Sequence, residues 1–169
     1  LEEKNIFPSI PEKKKFLFIP IIIDEGKKDL LIFYNNKIYE FWNKDLNETM
    51  LITYILPTED LEDLDLLKSK FEIIEQYDFK EITNKYDLKD SIIALIFKNK
   101  NDVRILSRIT LDGNTILKNQ SFTNMSFNDF KNIDIIINDL KIIYEDFWKK
   151  YNQINTSIKL TINIKVNNK

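Results

Sequence analysis

The chain has 169 residues, 25 Lys plus Arg against 27 Asp plus Glu, a formal net charge of −2 and 43% hydrophobic residues. That is enough apolar material for one domain with a substantial core, and the interspersed charge gives no general electrostatic reason to bind nucleic acid or an anionic membrane. With no Cys and no His, zinc fingers, thiol redox chemistry, Ser-His-Asp and Cys-His catalysis and imidazole metal sites are excluded. No membrane span is visible, because the longest apolar run, FLFIPIII (Phe16 to Ile23), is too short and contains Pro20. Glycine is confined to Gly26 and Gly113 and alanine to Ala94, a bias that suits an AT-rich genome. The chain opens on Leu1 instead of Met, from which a processed or trimmed product is expected, one that can have lost a leader.

Residues 1–15, with Pro8, Pro11 and Lys13 to Lys15, read as an extended lead-in to a single α/β domain over 16–169. FLFIPIII reads as a buried strand ended by the turn signal DEGKKD. Pro20 cannot donate a ladder hydrogen bond, so an edge or a bulge is expected there. Leu30 to Tyr34 is a second strand, Asn35-Asn36 a break, and KIYEFWNK a short helix with Ile38, Phe41 and Trp42 on one side. Met50 to Leu56 is a strand stopped by Pro57.

The acidic stretch LPTEDLEDLDLLKSKF follows, with Glu59, Asp60, Glu62, Asp63 and Asp65 inside it. Leu61, Leu64, Leu67 and Phe71 recur at helical spacing, and Thr58 or Asp60 is placed to cap the first turn. Carboxylates there meet the positive end of the helix dipole. The competing reading is a divalent-cation site, or a metal-dependent enzyme, built on Glu59, Asp60 and Asp63. An EF-hand-type loop lacks its glycine and its alternation here, so the helix start is the expected role.

A second helical pattern has Phe79, Ile82 and Tyr86 on one face. Ser91 to Phe97 is a buried strand, and VRILSRITL and TILKNQSF pair through Asp112-Gly113-Asn114, with a loop expected to exceed two residues. Ser126 and Asp129 approach a capping box for a long helix carrying Phe127, Phe130, Ile133, Ile137, Leu140, Tyr144, Phe147, Trp148 and Tyr151 on its inner stripe. The strict alternation of SIKLTINIKV (Ser157 to Val166) predicts a terminal strand covered on one side. The order implies a mixed twisted sheet with helices packed on it, parallel crossovers first and an antiparallel meander later.

Glycine is too sparse for a phosphate-cradling loop, and no cofactor is expected. The only arginines, Arg104 and Arg108, share one face of a strand, where they are either exposed partners for acids or a clamp for an anion.

Several segments together resemble the C-terminal part of a proteobacterial envelope family, domain of unknown function 2066. Asn36 and Trp42 match its Asn and later Trp, with Lys37-Ile38 in place of Pro-Trp. Leu56-Pro57 and Asp60-Leu61-Glu62-Asp63 are similar to its acidic signature, with Thr58-Glu59 in place of Leu-Gly. Lys85-Tyr86-Asp87 is similar to its turn, and Asp146-Phe147-Trp148-Lys149 to the end of its long helix. The resemblance implies an α/β fold like those of the N-terminal domain of TolB and the lipoprotein activators of penicillin-binding proteins. It also implies periplasmic export, no established activity and further sequence before this region. The absence of catalytic residue types points to a non-catalytic domain that acts through contacts with an envelope protein, and the one-sided terminal strand (Ser157 to Val166) is the edge expected to take a partner strand.

Overall fold

A computed structural model describes residues 12–45 and 50–167, with side chains described as far as residue 153. The strands are β1 (Lys14–Asp24), β2 (Asp29–Leu31), β3 (Ile52–Ile55), β4 (Ser91–Asn99), β5 (Asp102–Leu111) and β6 (Asn114–Phe122). The helices are α1 (Lys37–Phe41), α2 (Leu61–Ser69), α3 (Lys80–Thr83) and α4 (Phe130–Asn167), with a 3-10 turn at Phe71–Ile73. One sheet runs β2-β1-β4-β5-β6, and β3 pairs with β1 on the same flank as β2. β1 is parallel to β3 and β4; the pairs β1–β2, β4–β5 and β5–β6 are antiparallel. The expected mixed sheet, with parallel crossovers followed by a meander, is therefore what forms.

The sheet is covered on both faces, which explains why β1 and β4 are continuously apolar instead of alternating. On one face Phe16, Phe18, Ile92, Ala94, Ile96, Ile105 and Ile109 meet Ile38 and Trp42 of α1 and Ile133, Ile136, Ile137, Leu140 and Tyr144 of α4. On the other, Leu17, Ile19, Ile21, Ile93 and Leu95 meet Leu67 of α2, Ile74, Tyr77, Phe79 and Ile82 of α3. The inner stripe of α4 is thus core, as its period requires. Ser107 and Tyr144, both fully buried, share a 2.6 Å hydrogen bond that fixes α4 over β5.

Pro20 sits where its missing N–H costs nothing. β2 pairs with β1 at residues 22–24 and β3 at 14–17, which leaves a gap between them opposite Pro20. The buried side chain of Asn36 fills that gap: Nδ2 donates to the carbonyls of Pro20 (3.0 Å), Leu31 (3.1 Å) and Ile32 (3.2 Å). Its Oδ1 accepts from Tyr39 N–H at 3.0 Å and caps α1.

Several expectations are corrected. β2 stops at Leu31, not Tyr34, because the chain must turn there to bring the carbonyls of Leu31 and Ile32 onto Asn36. β1 starts at Lys14, so the lead-in is shorter than 1–15, and its residues 1–11 lie outside the described residues. The pattern through Phe79 and Tyr86 is not one helix: Phe79 adopts φ +61, and only the single turn of α3 follows. The β5–β6 loop is the two residues Asp112 and Gly113, both at positive φ (+51 and +82), as a type I′ turn requires. α4 is capped by Asp129, whose Oδ1 accepts from Lys131 N–H at 2.9 Å, not by Ser126. The expected terminal strand is absent: helical backbone continues to Asn167. No Gly or Pro follows Tyr151, so nothing in the chain breaks a helix already propagating. Among the described residues, no helix is long and apolar enough to cross a membrane.

Candidate functional site

The acidic segment resolves into a helix start and a lysine bridge. Asp60 is the N-cap of α2, with extended backbone and an Oδ1 that accepts Glu62 N–H at 2.8 Å. Asp63, one turn in, is only 2% exposed. Lys85 Nζ stands between them, 2.5 Å from Asp63 Oδ1 and 3.3 Å from Asp60 Oδ2. The Glu62 N–H, then Lys85, holds the Asp60 carboxyl below the usual range. Lys85 is held above the usual lysine range, chiefly by its bond to Asp63. Glu59 is exposed on the turn, which is tied down by Tyr39 Oη donating to Pro57 O (2.8 Å) and Thr58 N–H donating to Tyr86 Oη (2.8 Å). The position a cation would take between Asp60 and Asp63 is held by an ammonium, and among the described residues no group of three or more acids is arranged to hold a metal.

The arginines share a face, as their spacing predicts, but do not converge. Arg104 pairs with Glu75 at 2.6 Å and lies over the Phe97 ring at 4.1 Å. Arg108 donates from Nη1 to Tyr77 O and from Nη2 to Ile74 O (3.3 Å), and lies 5.5 Å from the Phe79 ring centre. Unlike Arg104, it makes no ion pair within 4.0 Å among the described residues. Burial pushes the Arg108 guanidinium below its ordinary value, against the pull of Glu75 and Asp78.

Arg108 forms part of a cleft of about 680 Å³ between the segment carrying α3 and the sheet. Register builds its floor. Ser91, Thr110 and Thr115 lie side by side across β4, β5 and β6, and Ile93, Arg108 and Leu117 form the next row. Thr110 and Thr115 share a 2.8 Å hydroxyl contact. Lys80, Thr83, Asn84 and Lys89 stand on the opposite wall. Sequence reading singled out Arg108 but missed the hydroxyl row. Reading Lys100-Asn101 and Asp112-Gly113 as two-residue loops would have aligned those three residues.

A second cavity of about 650 Å³ lies between α1 and α4. Two of its charged residues are engaged in structure: Lys141 Nζ donates to Trp42 O at 2.6 Å, and Glu145 accepts Leu51 N–H (2.7 Å) and Ile52 N–H (3.3 Å).

The remaining feature is the edge of β6, which no other strand covers among the described residues. All nine of its residues pair with β5 without a bulge, and the sheet order ends there. Residues flanking a two-residue turn bond to each other, so Asn114, Ile116, Lys118, Gln120 and Phe122 turn their main-chain groups toward β5. Thr115, Leu117, Asn119 and Ser121 therefore turn theirs outward. Leu117 is 58% exposed, and Lys118 is the strand's only charged residue. Beside the edge runs a groove of about 480 Å³ lined by Ile116, Gln120, Ile143 and Phe147, and the buried amide of Gln120 has no hydrogen-bond partner on either atom among the described residues.

No protein-family model, curated protein or solved structure matches this chain.

Proposed function

We propose that this chain is a non-catalytic domain that works by protein contact, taking an extended segment of a partner protein onto the β6 edge. The supporting observation is that edge. It is nine residues long, regular, largely exposed, and carries a single lysine among the devices that normally block strand addition. A segment laid antiparallel along it gains main-chain bonds from Thr115, Leu117, Asn119 and Ser121. Its side chains on the α4 side reach the groove lined by Gln120, whose buried amide has no partner among the described residues and is costly until bonded. The sequence resemblance adds an envelope partner and a periplasmic location to this reading. The alternative, a divalent cation on the acidic segment, has no comparable support, because the Lys85 ammonium already bridges Asp60 and Asp63.

The test uses a photo-crosslinking residue in place of Asn119, whose main chain faces outward, with envelope extract as the source of partners. A defined protein should be captured by the otherwise native chain and lost with Leu117→Pro, which removes an outward N–H and spares the β5 ladder. Failure to capture any protein, or equal capture by Leu117→Pro, would overturn the proposal.

A further inference from the structure

The cleft beside α3 gathers cationic and hydroxyl side chains, independently of the β6 edge. Its lining sets Arg108, Lys80 and Lys89 against one carboxylate, Asp78, in a chain whose net charge is −2. Arg108 spends two of its five N–H donors on the carbonyls of Ile74 and Tyr77, leaving three. The carboxylate that might have neutralised it, Glu75, is taken by Arg104 at 2.6 Å. Lys80 and Lys89 are exposed at the rim and make no ion pair among the described residues.

The floor adds neutral donors. The Ser91, Thr110 and Thr115 row lies next to the guanidinium across three adjacent strands, and a hydroxyl donates as readily as it accepts. Asn84 and Thr83 face this row from the α3 side. A partly buried guanidinium held rigid by carbonyls keeps its fork fixed before any ligand arrives, which suits the bidentate geometry of an oxyanion. The volume of about 680 Å³ falls within the range of small-molecule sites.

We propose that this cleft binds a small hydroxylated molecule bearing a phosphate or carboxylate group. Its oxyanion sits on Arg108 with Lys80 and Lys89 supplying the field, and its hydroxyls pair with Thr110, Thr115 and Asn84. No bond is made or broken.

The probes are inorganic phosphate and citrate, titrated separately into the full chain at constant ionic strength while amide chemical shifts are followed. The site predicts saturable shifts at Asn84, Arg108, Thr110 and Thr115 with either or both probes. Saturation by phosphate alone identifies a phosphoryl ligand, and by citrate alone a carboxylate. The double substitution Lys80→Glu with Lys89→Glu should weaken binding by at least about tenfold while leaving the melting temperature of the ligand-free chain unchanged. Thr115→Val should weaken it without altering charge. Shifts that fail to saturate with both probes, or an affinity unmoved by the charge reversal, would overturn the assignment. Because β6 pairing is untouched by these changes, the outcome is separate from the crosslinking result.

Discussion

Asn36→Asp isolates the hydrogen-bond plug that lets β1 carry Pro20. The substitution keeps the shape and the acceptor that caps α1, but replaces an NH₂ facing three carbonyls with an oxygen. Protonated, the new carboxyl keeps one donor where there were two, and the loss is that of one buried bond, about 1–3 kcal/mol. Ionised, it would set an anion against the carbonyls of Pro20, Leu31 and Ile32 in a fully buried position, so the folded chain holds the proton. Its folded pKa is then raised above the unfolded value of about 3.9, so the stability of the variant falls as pH rises between the two values. Each pH unit in that interval costs about 1.4 kcal/mol, up to about 4 kcal/mol by pH 7. The summed penalty of roughly 5–7 kcal/mol at neutral pH is comparable to the whole stability of many domains. Urea unfolding of both chains at pH 4.5 and pH 7 measures it. A difference under about 1 kcal/mol that does not change with pH would refute the role given to Asn36.

Lys85→Met strands the Asp63 carboxylate in a nearly closed site and should lower the urea midpoint, by less than breaking a fully buried pair because the lysine is partly exposed. Adding Asp63→Leu should restore most of that loss in the same urea assay, and no recovery would show that the bridge is not what Lys85 contributes. Ser107→Ala leaves the Tyr144 hydroxyl buried without its partner and should cost about 1–3 kcal/mol, whereas Ser107→Ala with Tyr144→Phe costs less than the sum of the single changes; additive effects in that cycle would count against the bond. Burial raises the Glu145 carboxyl above the ordinary range, outweighing the bonds from Leu51 and Ile52 N–H and the Lys13 and Lys141 cations. A raised acid contributes stability that is full below its unfolded value of about 4.3 and is lost as pH rises through the folded one. Glu145→Gln should therefore remove a decline in the urea midpoint just above pH 4.3, and a native-minus-variant difference that grows with pH would contradict the assignment.

Local chemistry was legible in the sequence where one segment carried its own reason. β1 and β4 announce burial on both faces by unbroken Ile, Leu and Phe, and Asp60 announces a helix start because capping needs only its next two residues. Pro20 foretold an interrupted flank. What stayed hidden depends on distant partners. Asn36 is an ordinary break residue until strand pairing brings Pro20 O to it, and Lys85 is one lysine among many until the turn after α3 sets it on Asp63. The alternation of Ile158 to Val166 has the period of a strand, and helical backbone continuing from α4 overrides it. The hydroxyl row needs the alignment of three strands, and alignment lies in the two loops more than in the strands themselves.

The role given to β6 is tested most directly by residue-resolved amide exchange along the strand, in the free chain and after addition of the captured partner. In the free chain Thr115, Leu117, Asn119 and Ser121 should exchange quickly, while Ile116, Lys118 and Gln120, bonded to β5, are protected; the partner should slow the first four. Uniform protection in the free chain, or fast exchange at those four positions in the complex, would contradict an open edge that works by strand addition.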